Sequence, residues 1–268
     1  MTDPRVYQIA TLSLLIAWGS TALGFGIHID NVIAIVVAAL TTQWLGTQVA
    51  GLPRFDPLSA IITSLSLTLL LRTDLVAIAA FAAMIAVGSK FLLRANNKHI
   101  FNPANFAIVI LVLATDRAWI SSGQWGSTSL LAVLLVGLGM VVLSRAKRFE
   151  TTLFFLGTWA ALLFARALWL GDPLAIPLHQ LQNGALLLFA FFMISDPVTA
   201  PNSAHGRALY GSLVAVVGYI IQFHFYIPSG PILALIGCAL LVPVIDRCLA
   251  GTKYQWRVPD KGATPCES

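Results

Sequence analysis

The chain has 268 residues, 58% of them apolar and only 10% charged, with a mean hydropathy of +0.84. Ordinary soluble domains carry about 25% charged residues, so this inventory cannot cover a water-facing surface. It excludes a conventional soluble enzyme, a nucleic-acid reader and a sizeable extramembrane domain, and the net charge of +5 reads as a membrane-topology signal.

Spans of about 20 apolar residues cross a bilayer. Ten runs qualify in chain order: 7–26, 31–50, 57–71, 75–93, 104–118, 127–143, 151–170, 179–194, 207–226 and 231–248. Each is continuous, which predicts helix, because open strands cannot satisfy their backbone in lipid and barrel strands would alternate. The expected fold is all-α: a single polytopic domain over 1–268, with about ten transmembrane helices and short loops. Only Arg5 precedes the first run and no small-residue cleavage site follows it, so that run is expected to be retained as a span. The third run is short and rich in hydroxyls (Ser59, Thr63, Ser64, Ser66, Thr68), the pattern of a discontinuous helix beside a site.

Ten spans place 13 of the 16 basic residues on the side of both termini, leaving Arg72, Arg117 and Arg166 for the other face. The positive-inside rule therefore predicts cytoplasmic termini, in a bacterial inner membrane. Leu70-Leu71-Arg72-Thr73-Asp74 recurs loosely as Met193-Ile194-Ser195-Asp196-Pro197, and Phe101–Phe106 as Tyr226–Pro231. Two repeats of five spans, about 7–118 and about 127–250, would insert with opposite orientation and place a binding site between them. A cytoplasmic tail, 251–268, would follow.

Three polar clusters break the apolar pattern. The first runs from Lys90 and Arg94 to Lys98-His99-Ile100-Phe101-Asn102-Pro103-Ala104-Asn105. Its basic residues read as a helix end snorkelling to lipid phosphates. Two carboxamides beside a span cost desolvation unless they cap helices or hold a ligand. The second is Ser195-Asp196-Pro197-Val198-Thr199-Ala200-Pro201-Asn202-Ser203, ending at Gly206-Arg207. Asp196 before proline favours an extended break, and Arg207 could hold an anion at the following helix start. The third, Gly123–Ser129, reads as a helix cap with Trp125 at the lipid interface. All carboxylates sit at segment ends, which argues against a carboxylate-relay pump. The cysteines Cys238, Cys248 and Cys266 have no metal spacing, Cys238 and Cys248 read as small packing residues, and the five histidines read as polar helix ends.

On the first two motifs, and more weakly on Gly126-Ser127-Thr128-Ser129, the sequence resembles the membrane-protein family that includes RnfD and NqrB, and within it the stand-alone UnbU-like branch. The resemblance runs from about residue 55 to 250. It implies an inverted-repeat fold related to small-solute channels, flavin binding, and a role in moving electrons across the membrane in ion-translocating redox complexes. Members with covalent FMN attach it to a threonine in an insertion between spans five and six. Here that stretch is only Asp116–Trp125, without the acceptor signature, so covalent FMN is not expected.

The leading expectation is therefore a membrane redox protein holding riboflavin or FMN noncovalently, the isoalloxazine carrying the electron chemistry. Lys98, Asn102, Asn105, Ser195, Asp196, Thr199 and Arg207 are expected to line the site, by hydrogen bonds to the ring and with Arg207 or Lys98 for a phosphate. No catalytic side chain and no metal are expected. Expected partners are membrane lipids and redox proteins on either face, without nucleic acid. The alternative is a transporter or channel for a small neutral or flavin-like solute without redox activity.

Overall fold

The computed structural model describes residues 3–96, 98–120, 125, 129–146 and 148–254. The apolar runs are helical, as their continuous hydrophobicity predicts. The first half contributes α1 (Pro4–Ala22), α2 (Ile29–Val49), α3 (Pro57–Leu70), α4 (Val76–Leu92) and α5 (Pro103–Ala114). The second contributes α6 (Ser129–Ala146), α7 (Glu150–Leu170), α8 (Ala175–Leu181), α9 (Gly184–Leu188), a π-helical turn (Phe189–Met193), α10 (Ala204–Phe223), α11 (Gly230–Ala239) and α12 (Val242–Cys248). Proline opens α1, α3, α5, α11 and α12, where its missing N–H costs nothing. The side chains of Asp3, Asn102 and Ser203 accept first-turn N–H groups of α1, α5 and α10, as N-caps do.

By length and apolarity, three helices among the described residues, α2, α7 and α10, can cross a bilayer alone. Counting each bent pair as one span raises that to five. One pair is α8 with residues 184–193, bent by 48°; the other is α11 with α12, bent by 53°. The single spans expected over 179–194 and 231–248 are thus broken. Asn183 takes the N–H groups of Ala185 and Leu186 and starts a new helix inside the first run. Pro243 sits in the first turn of α12 and offers no N–H with which to continue α11.

The run expected over 104–118 is helical only to Ala114. Thr115 is extended, and β4 (Ala118–Ile120) then pairs antiparallel with β1 (Leu71–Thr73), which follows α3. A second ladder joins β2 (Arg94–Ala95) to β3 (Lys98–His99). These short ladders take up backbone groups left over where helices stop early. Hydropathy carries no signal for them.

The most extensive helix contacts are α2 with α4 and α7 with α10. The latter needs Gly211: a Cβ there would lie 2.5 Å from the Thr151 carbonyl oxygen. Trp125 does not sit at an interface with lipid as expected. It is fully buried, edge-on to Phe25 with ring centroids 4.8 Å apart. Cys238 packs in the core but Cys248 is exposed. Residues 126–128 of the third cluster, Lys147, Cys266 and the tail from 255 lie outside the described residues.

Candidate functional site

The two polar motifs meet, although about a hundred residues separate them. The β2–β3 hairpin turns at Asn96, whose φ is 51°, and delivers Lys98, His99 and then the α5 cap Asn102. The other motif leaves the π-helical turn, and Asp196 Oδ1 accepts the Val198 N–H at 3.0 Å. This Asx turn bends the chain toward α10. Lys98 Nζ then clasps the second motif, donating to Ala200 O at 2.5 Å and to Asp246 Oδ2 of α12 at 3.0 Å. The other Asp246 oxygen accepts the Asn202 N–H at 2.7 Å. Asn102 Nδ2 donates to Met193 O at 3.2 Å.

Two guanidinium groups hold the same loop from behind. Arg148 donates to Pro201 O and Asn202 O, and to Thr252 O of the segment after α12. Arg207 donates to Asn202 O at 2.7 Å and grips Glu150 in a bidentate pair at 2.9 and 3.0 Å. Gly251 lets that last segment pass against Asn202 and Ser203, and it brings Lys253 and Tyr254 to the same place.

A cleft of about 390 Å³ opens between these loops and α3. Of the residues expected to form a site, Lys98, Asn102 and Asp196 line it. Asn105 lies behind, its Nδ2 donating to Ile232 O across the halves at 3.2 Å. The Ser195 hydroxyl turns back to Phe191 O, and Thr199 is buried beside the Asp196 turn. Arg207 does not line the cleft; its guanidinium is engaged by Glu150 and the loop carbonyls. A charge partner distant in sequence is invisible to motif reading.

Sequence reasoning missed Lys90. It reads as a snorkelling helix-end lysine, yet it is 4% exposed and its Nζ donates to Ser59 O and Ser59 Oγ, both at 3.0 Å. Its signal was position: it falls inside the apolar run 75–93, before the run ends. Ser59, Thr63 and Ser66 of the hydroxyl-rich third run do line the cleft, as a discontinuous helix beside a site would.

Burial dominates the electrostatics of the loops. It pushes the Asp196 carboxyl up, against the Val198 N–H and the nearby Lys90 and Lys98. It pushes Lys98 down, against the pull of Asp246. His99 falls to about 4, through burial and then the neighbouring charges of Lys90 and Arg94, so its imidazole is neutral at pH 7.

A second cavity, of about 240 Å³, lies at the other end of α10, about 30 Å of helix away. Trp159, Phe189 and Phe223 wall it, with Gln180, Asn183 and Gln222 as polar lining. Trp159 belongs to an aromatic cluster, its ring centroid 5.7 Å from Phe155 and 6.3 Å from Phe223.

Apolar helices, several too short or bent to be ordinary spans, with polar loops clasped over a cleft at their ends, define a multi-pass helical membrane protein. Residues 115–255 match the NQR2, RnfD, RnfE family, and the chain belongs to it. The matched stretch contains the Ser195–Arg207 motif, while Lys98–Asn105 lies before it. Among similar proteins, the RnfD component of the ion-translocating oxidoreductase complex of Tolumonas auensis is 33% identical over 144 residues, 54% of this chain and 38% of that protein. Its namesake in Salmonella enteritidis PT4 is 38% identical over 114 residues, 42% of this chain and 32% of that protein. That of Escherichia coli O1:K1 is 31% identical over 131 residues, covering 49% and 33% respectively. The matched stretches thus span less than two fifths of each relative's length.

Proposed function

We propose that this chain is a membrane component of a redox complex that holds riboflavin or FMN noncovalently in the Lys98–Asp196 cleft and supports electron transfer across the membrane. The observation that carries this reading is the convergence of the two motifs on one cleft. The names of the relatives, components of ion-translocating oxidoreductase complexes, agree with it.

The residues present fit a flavin. The cleft lies within the roughly 300–1,000 Å³ typical of small-molecule sites and combines apolar walls (Ile62, Pro103, Phe192) with polar groups. His99 Nδ1 is buried without a hydrogen-bond partner among the described residues. Asn102 donates one amide hydrogen to Met193 O and accepts the Asn105 N–H, leaving one donor and one lone pair for a ligand. A bound flavin would supply one- and two-electron chemistry. The protein's part is to orient it, with Asn102 and Asp196 toward the ring, and to hold it beneath the loop that Lys98, Arg148 and Arg207 fix. Asn105, Ser195 and Thr199 brace that lining from behind.

The same reading places ten membrane-crossing or part-crossing segments in two inverted repeats, about 7–118 and about 127–250. The parallel between α2 packed on α4 and α7 packed on α10 supports it. Both termini and the cleft face the cytoplasm of a bacterial inner membrane, where Arg5, Arg94 and Lys253 add positive charge. Redox partner proteins dock on either face.

The test is an absorbance spectrum of the detergent-purified chain, before and after incubation with riboflavin or FMN. Bands near those of free flavin are expected, surviving denaturation only in the released, low-mass fraction. A protein that carries no flavin and gains none sinks the reading.

A further inference from the structure

Four cations that line the cleft already have partners. Arg5 pairs with Asp3 and Asp56, Lys98 with Asp246 and Lys253 with the Asn96 carbonyl, while Arg94 has contacts of its own. Lys90 differs. It is more than nine-tenths buried, lines the cleft, makes no ion pair among the described residues, and meets only the neutral oxygens of Ser59. A buried ammonium with only neutral acceptors is poorly compensated. Both lining carboxylates are occupied elsewhere: Asp56 by Arg5 and Asp196 by its own turn.

Ser59 also belongs to the first turn of α3, whose cap residue Asp56 makes no side-chain cap hydrogen bond. The 14-residue α3 therefore presents first-turn N–H groups and the positive end of its dipole beside Lys90. A fixed cation and a helix start with no side-chain cap, facing one cavity, are complementary to an anion. We propose that Lys90, Ser59 and the first turn of α3 form a phosphate subsite. Given the flavin reading above, on which this identification of the ligand rests, the cleft selects FMN over riboflavin. The subsite itself rests on the geometry alone, and a lipid headgroup phosphate shares its chemistry.

The experiment titrates the detergent-purified chain with FMN and with riboflavin, following flavin fluorescence, in the wild type, Lys90→Gln and Ser59→Ala. The wild type should bind FMN at least about tenfold more tightly than riboflavin, as one charge-assisted contact implies. Lys90→Gln should weaken FMN about tenfold or more and change riboflavin less than about threefold; Ser59→Ala should do the same more mildly. Equal binding of the two flavins by the wild type, or equal loss of both in Lys90→Gln, overturns the subsite. Should Lys90→Gln fail to fold, judged by size-exclusion profile, the wild-type ratio and Ser59→Ala decide. Inorganic phosphate provides an arm independent of flavin. If neither flavin binds but phosphate raises the unfolding midpoint of the wild type and not of Ser59→Ala, the subsite stands and the flavin reading falls. If phosphate also has no effect, the subsite falls too. Phosphatidylglycerol in mixed micelles separates the sources: protection by that lipid, absent in Ser59→Ala, assigns the subsite to a headgroup.

Discussion

The cleft at Lys90 and the cavity at Trp159 are assembled from comparable parts and finished with opposite chemistry. The first lies where α4 ends, α5 begins behind a proline, and the short α3 supplies a wall. The second lies where α10 ends, α11 begins behind a proline, and the short α9 with its π-helical turn supplies the wall. One is lined by cations, carboxylates and hydroxyls. The other has aromatic rings and carboxamides, and none of its lining residues titrates near neutral pH. Interrupted helices create the room; the residues at their ends decide what the room can hold. Polar linings need partners from distant segments, whereas an aromatic wall is held by its neighbours' dispersion contacts.

That contrast can be broken in three places. The largest effect belongs to the cleft's closing ion pair. Lys98→Met leaves Asp246 buried without its cation and should cost about 3–5 kcal/mol, while the Lys98→Met, Asp246→Leu double variant recovers most of it. Thermal unfolding in detergent measures both, and a single variant as stable as wild type would remove Lys98 from its clasping role. Next comes the aromatic cavity. Trp159→Ala should cost about 2–3 kcal/mol, the packing share of a larger soluble-protein effect, and leave flavin affinity in the cleft unchanged. A loss of affinity would mean that the two cavities are coupled.

The smallest effect is a pH dependence confined to the cleft. His99 has a folded value of about 4, below its ordinary 6.5, so the unfolded chain binds the proton first as pH falls. Its contribution to stability is full above pH 6.5 and is lost as pH falls through about 4. His99→Gln should flatten the unfolding midpoint across that window. A profile unchanged by the substitution would show that other groups carry it.

Much of this was legible in the sequence. The apolar runs gave the helices, and the polar clusters at Lys98–Asn105 and Ser195–Arg207 gave the cleft, because polarity beside a span is conspicuous. The breaks at 182–183 and 240–241 were not legible, since a run stays apolar whether its helix continues or bends. Nor were the pairings of Arg207 with Glu150 and Lys98 with Asp246, which depend on how helices pack. Lys90 was misread because a lysine at a helix end has the same local sequence whether it reaches out to lipid or inward to a cleft.

The clasp of Lys98 by Asp246 also sets a timetable. The two residues are 148 positions apart, so at roughly 5–20 residues per second a ribosome needs about 7–30 seconds to make the second after the first. During that interval the hairpin carrying Lys98 has neither its carboxylate nor its loop carbonyls. The inner wall of the cleft is therefore the last part of the molecule to be completed, and whatever binds there can do so only after α12 has been made.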